Sequence, residues 1–128
     1  MVNPLQLSQK FEGMAERLAE MAHLRRLGQL FDATVLIEVD GNELYLTFEH
    51  GCVVRITQGP SKKIAWHFAL RASADAVQGF WRPIPRPGYH DIFGLVKLGV
   101  GRIDGDILLL VKNLRFLKEF MALGRAEA

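Results

Sequence analysis

The fold is decided by residues 32–49, DATVLIEVDGNELYLTFE. Apolar side chains recur at every second position on both sides of Asp40-Gly41-Asn42, which is the spacing of strands that bury one face. The Asp-Gly-Asn step is a strong signal for a tight turn between two such strands. The stretch therefore predicts an antiparallel pair of strands. The predicted buried side of the pair carries Ala33, Val35, Ile37, Val39, Leu44, Leu46 and Phe48.

Two further strands are predicted on the C-terminal side of this pair. A second turn at His50-Gly51 leads into an alternating segment over residues 52–57, and residues 59–63, GPSKK, form a loop. Residues 64–71 alternate again. We expect the four strands to form an antiparallel meander with one strongly apolar face and one mixed face. The apolar side of the fourth strand carries Ile64, Trp66, Phe68 and Leu70.

The segments on either side of the predicted meander have helical spacing. Asn3 and Pro4 resemble a helix cap and a first helical residue. One amphipathic helix is predicted over about residues 4–30, because its apolar side chains recur at intervals of three and four. A short helix is predicted after Ser73, and it ends before the prolines at positions 83, 85 and 87.

The C-terminal third alternates between helix and strand. A short helix is predicted over residues 90–98, a brief strand over 99–104 and a final helix over about 106–123. The final helix is apolar on more than one side, so we expect it to be buried on two sides or to line a cavity. The order α–ββββ–α–α–β–α predicts an α+β fold in one domain over residues 1–128. In this fold a five-stranded, mostly antiparallel sheet is covered by helices.

Composition and charge exclude several classes of protein. The 128 residues are 49% hydrophobic, too apolar for a disordered chain, and the single Cys52 excludes an internal disulfide. The formal net charge of +2 is too small to predict a nucleic-acid partner. The longest apolar runs have about five residues, far fewer than the roughly 20 of a membrane span. The first residues lack the pattern of a secretory signal, so we expect a cytoplasmic protein.

Residue patterns for metal, nucleotide and nucleophile chemistry are missing from the sequence. The histidines at positions 23, 50, 67 and 90 are dispersed and lack the spacing of metal ligands. Neither standard glycine-rich phosphate-binding pattern occurs, and no serine or cysteine lies in a nucleophile motif. We therefore predict no metal and no cofactor. His90 and Asp91 are the pair most suggestive of acid–base chemistry, although a helix start also explains them.

Large apolar side chains are concentrated in the second half of the chain. Most are expected to form an ordinary core. A curved sheet under one long helix and several short ones packs incompletely at its open end, however, and such pockets bind ligands. Arg82 and Arg86, in the proline-rich connector, are candidates for contact with the head group of a ligand. The predicted pocket wall consists of Trp66, Phe68, Phe80, Trp81, Phe93, Leu110, Leu114 and Leu117.

Four short segments carry a resemblance to a known family. They are FDATVLIEVDG (31–41), GCVVRI (51–56), LRASAD (70–75) and RIDGDILLL (102–110). With these segments the chain resembles, over residues 5–123, the sterol carrier protein type 2 family of lipid-binding domains. The resemblance implies a five-stranded sheet whose helices enclose an apolar tunnel for fatty acids, fatty acyl-CoA, sterols or other lipids, with no metal or chemical cofactor. Residues 83–88 hold more proline than the resemblance implies, which leaves the choice of ligand open.

Three hypotheses about function follow. The first, favoured by the resemblance, is a non-catalytic carrier or binding domain for a hydrophobic small molecule or lipid, without a nucleic-acid partner or stable membrane insertion. The second is a small α+β enzyme that acts on an apolar substrate with His90 or Asp91 as its acid–base group. The third is an interaction module that forms a homodimer through the mixed face of the sheet. That face is expected to present Leu36, Tyr45, Val53 and Ala65.

Overall fold

Six helices and five strands make up residues 4–125, the part of the chain that the computed structural model describes. The predicted order of helices and strands is confirmed, except that the first and last predicted helices are each divided in two. The predicted cap Asn3 lies outside the described residues. The helices are α1 (Pro4–Glu20), α2 (Ala22–Leu27), α3 (Ala74–Phe80), α4 (Ile92–Lys97), α5 (Ile107–Lys112) and α6 (Leu114–Ala122). The strands are β1 (Ala33–Val39), β2 (Asn42–Glu49), β3 (Cys52–Gln58), β4 (Phe68–Ala72) and β5 (Gly101–Gly105).

The strands form one mixed sheet in the order β3-β2-β1-β4-β5. The pairs β1–β2, β2–β3 and β4–β5 are antiparallel. β1 and β4 are parallel, with Val35 opposite Phe68. The sheet is therefore mostly antiparallel, as predicted. The predicted four-stranded antiparallel meander is wrong, however, because β4 joins the free edge of β1 instead of the edge of β3.

The connection between β3 and β4 explains the parallel pair. β3 runs parallel to β1, so residues 59–67 have to return along the sheet before β4 starts in the same direction. This loop is held to the outer face of the sheet, where the Tyr45 hydroxyl donates to Ser61 O at 3.0 Å. The strand predicted over residues 64–71 therefore begins only at Phe68.

Two-residue turns join β1 to β2 and β2 to β3. The φ angles are 49° at Asp40 and 82° at Gly41, and 51° at His50 and 78° at Gly51. Both residues of each turn lie in the left-handed region, as in the type I′ turns that fit the twist of a hairpin. A Cβ at Gly51 would also lie 2.5 Å from Arg25 O. Glycine at this position therefore allows both the turn and the close approach of α2.

The helix predicted over residues 4–30 is broken at Met21. Met21 has φ −105° and ψ 91°, an extended backbone between α1 and α2. α1 lies across β2 and β3, whereas α2 packs against α6. The break allows both sets of contacts, so that Leu18 and Leu24 are both completely buried. Since the apolar spacing of three and four continues across Met21, the sequence does not reveal the break.

The helix predicted over residues 106–123 is broken at Asn113. This residue has φ −118° and ψ 24°, and its Nδ2–H donates to Leu109 O at 3.0 Å. Asparagine side chains compete with helical backbone bonds in this way. The start of the predicted helix is confirmed, because Asp106 Oδ1 accepts the N–H of Leu109 at 3.0 Å.

The core lies between the inner face of the sheet and the helices, and phenylalanine rings fill much of it. The ring centroid of Phe48 is 5.2 Å from those of Phe31 and Phe120, and 5.8 Å from that of Phe116. Tilted and edge-on ring pairs of this kind contribute about 0.5–1.5 kcal/mol each beyond the burial of their area. This cluster of four rings fixes α6 to the centre of the sheet.

An ionic cluster joins three strands on the outer face of the sheet. Arg71 contacts Glu38 (Nη1–Oε2, 2.9 Å) and Asp104 (Nε–Oδ2, 2.8 Å). Arg102 Nε also lies 3.0 Å from Asp104 Oδ1. The hydrogen bonds from Arg71 and Arg102 hold the pKa of Asp104 below its ordinary value. The cluster therefore ties β4 to the strands on both sides of it.

Candidate functional site

An apolar cavity lies under α3 and α4, between these helices and the inner face of β1 and β4. Its volume is about 40 Å³, which is space for a few water molecules. Glu38 and Arg71 also border the cavity, but their side chains bind each other on the outer face of the sheet. The wall that faces the cavity is therefore almost entirely apolar. The wall is formed by Phe11, Ile37, Val39, Leu70, Ala72, Val77, Phe80, Trp81, Ile92, Leu95 and Met121.

Side-chain caps fix the two helices that cover the cavity. Ser73 Oγ accepts the N–H of Ala76 at 3.1 Å, as predicted, and Asp91 Oδ1 accepts the N–H of Gly94 at 2.8 Å. Each bond satisfies a backbone N–H of a first helical turn and stabilises the helix by about 1 kcal/mol. α3 and α4 have only seven and six residues. Helices this short depend on their caps and on packing over the cavity.

Trp81 follows α3 and forms the wall of the cavity toward α1 and α6. Its Nε1–H donates to Met121 O at 2.8 Å, and its ring centroid lies 5.7 Å from that of Phe11. Lys10 Nζ lies over the ring, 5.0 Å from its centroid. A Cβ at Gly124 would overlap Trp81 Nε1, so a larger residue at this position would have to displace the indole. The half-buried indole is therefore held between α1 and the end of α6.

Two of the predicted wall residues, Phe80 and Trp81, line the cavity. Their contact with a ligand stays a prediction. Phe93 and Leu114 are only partly buried and are not in the wall. Three other predicted wall residues are buried in the core instead and do not line the cavity. These are Phe68, Leu110 and Leu117.

The two predicted head-group arginines lie on the surface, away from the wall. Arg82 and Arg86 are exposed, because the proline-rich connector runs over the outside of the molecule after Trp81. The guanidinium carbon of Arg86 lies 4.8 Å from the ring centroid of Tyr89, a cation–π contact within the connector. Neither arginine borders the apolar cavity.

Trp66 lies on the outer face of the sheet instead of in the predicted pocket. Its segment is a loop, and Trp66 packs with Ile64 over a small second cluster. The guanidinium carbon of Arg71 lies 5.9 Å from the Trp66 ring centroid. The prediction puts Trp66 on the inner face because it takes residues 64–71 as one strand, whereas β4 begins only at Phe68. The second cluster consists of Leu36, Tyr45 and Ala69.

The mixed face considered for a homodimer is therefore largely covered by the loop of the same chain. Leu36 and Tyr45 are buried under this loop. Val53 packs on the inner side, because the pairing of β2 and β3 shifts register between Thr47 and Phe48. Of the four residues expected on this face, Ala65 is exposed.

Most of the cavity wall is not identified by the sequence as a ligand site. The pattern predicts Ile37, Val39 and Leu70 only as buried strand positions, and Phe11 only as part of a helical stripe. Met121 is one of many apolar residues in the final helix. No local sequence signal shows which part of the inner face of the sheet borders an unfilled space, because that depends on where the short helices α3 and α4 lie.

His90 and Asp91 do not line the cavity. Asp91 caps α4, and its Oδ2 lies 3.3 Å from Lys118 Nζ. Burial acts to raise the pKa of Asp91, but the N–H of Gly94 and the Lys118 ammonium hold it below its ordinary value. A general base that works near neutral pH has its pKa shifted upward. The structure thus favours the helix-start explanation of this pair.

No three side chains of the metal-binding types come together within residues 4–125. None of the helices in this part of the chain has the length and apolar character to cross a bilayer.

Solved structures of sterol carrier proteins share this fold. A crystal structure of sterol carrier protein 2 matches with a TM-score of 0.73 at 15% identity, over 94% of this chain and 96% of that chain. The solution structure of a conserved hypothetical protein from Thermus thermophilus matches with a TM-score of 0.72 at 14% identity, over 94% and 88% of the two chains. Sterol carrier protein 2 from Yarrowia lipolytica, in its apo form, matches with a TM-score of 0.60 at 12% identity, over 95% and 91%.

These likenesses show the fold alone, because the identities are low. No family model matches the sequence, and no curated protein matches it. The chain therefore has the fold of sterol carrier protein 2, a five-stranded mixed sheet covered by helices. The α+β class predicted from the sequence is confirmed.

Proposed function

We propose that this protein binds or carries a hydrophobic ligand and does not catalyse a reaction on it. The ligand classes are those that the resemblance implies: a fatty acid, a fatty acyl-CoA, a sterol or a similar lipid. The proposed site is the apolar cavity under α3 and α4. No nucleic acid or metal takes part in this function.

The observation that carries the proposal is an unfilled apolar space inside a sterol carrier protein 2 fold. Eleven apolar side chains from the sheet and four helical segments meet at this space without filling it. Well-packed interiors leave few voids larger than a water molecule, so an apolar void is a departure that a ligand can use. The neighbours in fold include proteins named sterol carrier protein 2.

The cavity has to widen before it admits a lipid, because a volume of about 40 Å³ does not hold an alkyl chain. Burial of about ten methylenes contributes roughly 8 kcal/mol before the costs of ordering are subtracted. The shell over the cavity is held by the two helix caps, the Asp91–Lys118 ion pair, the Trp81–Met121 bond, and the bonds from Arg125 to Phe80 O and His90 O. A ligand that supplies this free energy displaces α3 and α4 while the phenylalanine cluster stays in place.

Lipid binding and the position of the site are tested together with two variants, each of which replaces one alanine by leucine. Native mass spectrometry of protein purified from cells detects a retained lipid, and titration with a fluorescent fatty acid measures affinity. Ala72 lines the cavity, whereas Ala65 is exposed in the outer loop. We expect Ala72→Leu to fill the cavity and weaken binding by about tenfold or more, and Ala65→Leu to bind like the unchanged protein.

Urea unfolding of both variants verifies that each remains folded, and the smaller Ala72→Val provides a second test if Ala72→Leu is too unstable. Absence of any co-purified lipid, together with absence of saturable binding, would refute the proposed function. Equal binding by the Ala72 and Ala65 variants would refute the assigned cavity.

A further inference from the structure

A basic groove lies next to the apolar cavity, between α1 and the segment that follows α6. It is lined by Lys10, Gly13 and Arg17 from α1 and by Gly124 and Arg125 from the other side. Its volume is about 210 Å³, several times that of the cavity. A Cβ at Gly13 would meet nothing within 4 Å, so the floor of the groove is open. The groove therefore has space for a polar group of substantial size.

The three cations of this groove are held by hydrogen bonds to backbone carbonyls and a ring contact, in the part of the chain that the structure describes. Within residues 4–125, none of its three cations forms an ion pair with an aspartate or glutamate. Arg17 Nη1–H donates to Leu123 O at 2.8 Å, and Arg125 donates to Phe80 O and His90 O. These bonds fix both guanidinium groups in position, and within residues 4–125 the carboxylate whose charge acts on Arg125 is that of Asp91, without a direct ion pair.

The environment of the basic groove acts on the charge of Lys10. Partial burial and the positive charge of Arg17 both lower the pKa of Lys10. An anion in the groove would relieve this repulsion, and hydrogen bonds between ionised partners are about twice as strong as neutral ones. The groove therefore favours an anionic occupant over a neutral one.

Trp81 separates the basic groove from the apolar cavity. One side of its indole faces Lys10 and Gly124 of the groove, and Phe11 and Met121 of the cavity wall contact it as well. Displacement of this one side chain would join the two spaces. Once α3 and α4 have also moved and widened the cavity, a molecule with an anionic head and an apolar tail would occupy both.

We propose that the basic groove binds the anionic head group of the ligand, a carboxylate or a phosphate, while the tail passes the position of Trp81 into the apolar cavity. This inference rests on the proposed function and narrows its ligand to an anionic amphiphile. It also assigns the head group to Lys10, Arg17 and Arg125 instead of to the exposed Arg82 and Arg86.

The test compares two double variants of equal charge change. Lys10→Gln/Arg17→Gln removes two cations of the groove, and Arg82→Gln/Arg86→Gln removes two from the connector. Each protein is titrated by calorimetry with decanoate, decyl phosphate and decanol, which share a tail and differ in the head. Arg125 is left unchanged because its bonds to Phe80 O and His90 O hold the connector in place.

We expect the groove variant to lose about tenfold or more of its affinity for decanoate and decyl phosphate and to keep its affinity for decanol. The connector variant should bind all three compounds like the unchanged protein. The affinity for the two anions should also fall as salt is added, because the charges are partly exposed to solvent. A larger loss for one anion than for the other identifies which head group the cluster fits.

Other outcomes overturn the inference in distinguishable ways. If the unchanged protein binds decanol as tightly as decanoate, or if the groove variant binds decanoate normally, the tail site stands and the head-group assignment is wrong. If the connector variant loses the anions instead, the head group belongs to Arg82 and Arg86. If no compound binds the unchanged protein, the proposed function itself fails.

Discussion

Replacement of Trp81 by alanine tests whether this side chain closes the candidate site. The change removes the hydrogen bond to Met121 O, the edge contact with the Phe11 ring and the contact with the Lys10 ammonium. It leaves the ring cluster around Phe48 untouched. The loss should therefore be local to the wall between the cavity and the basic groove.

The size of the effect follows from these contacts. The hydrogen bond contributes about 1 kcal/mol, the ring pair about 0.5–1.5 kcal/mol and the cation–π contact about 0.5–1 kcal/mol. Removal of a fully buried tryptophan costs about 3–5 kcal/mol, and Trp81 is half-buried. We expect the free energy of unfolding to fall by about 3 kcal/mol. At m values of about 1–3 kcal/mol per M, the urea midpoint falls by about 1–3 M.

The same variant should take up ligand faster. On the proposed entry path the indole has to leave its place before a tail enters, whereas in Trp81→Ala this obstacle between the groove and the cavity is gone. Stopped-flow mixing with decanoate should show an association rate about tenfold higher or more, since each 1.4 kcal/mol removed from the barrier gives a factor of ten. Trp66→Ala is the control, because this second tryptophan lies on the outer face. Equal association rates for the two variants would show that Trp81 is not on the entry path.

Three further predictions concern stability. The hydrogen bond from Arg71 holds the pKa of Asp104 below its ordinary value of 3.8. The Asp104 carboxylate therefore contributes fully to the free energy of unfolding above pH 3.8, and this contribution is lost as the pH falls through the folded-state pKa. Acid titration of Asp104→Asn should accordingly show a weaker fall of stability in this range than the unchanged protein shows, and an identical slope would contradict the assignment. Gly51→Ala should cost more than Gly41→Ala in urea unfolding, about 2 kcal/mol or more against about 1, because both need a positive φ but only Gly51 lies against Arg25 O. Phe116→Ala should cost about 3–5 kcal/mol, and a loss below 1 kcal/mol would show that the ring cluster is not tightly packed.

Much of the fold could be predicted because it is encoded locally. The alternation from Ala33 to Val39 identifies the buried face of β1, and the turn at Asp40-Gly41 fixes the first hairpin. Ser73 and Asp106 mark helix starts by the chemistry of their side chains. Each of these signals acts within a few residues, where one sequence suffices.

The parts that could not be predicted depend on contacts between distant segments. The parallel pairing of β4 with β1 follows from the path of the loop over Tyr45, which no periodicity encodes. The break at Met21 has no glycine or proline to mark it, and arises because α1 and α2 pack on different neighbours. These features are set by tertiary packing instead of by local preference.

The candidate site was predictable by region but not by residue. The excess of apolar side chains points to the second half of the chain, and Phe80 and Trp81 are in the wall. The basic groove escapes sequence reasoning because Lys10 and Arg125 are far apart in the chain and the net charge is only +2. A local pair of arginines in the connector draws attention instead, although neither arginine borders the cavity.

The central place of β1 has a consequence for how the protein is made. β1 is the first strand to be synthesised, yet one of its edges is completed only by residues 68–72. Until that segment leaves the ribosome, the nascent chain can form only the three-stranded sheet β3-β2-β1, in which β1 is an exposed edge strand. Exposed edges of apolar strands pair readily with other chains. A translational pause just after β3 should therefore lower the yield of folded protein more than an equal pause just after β4.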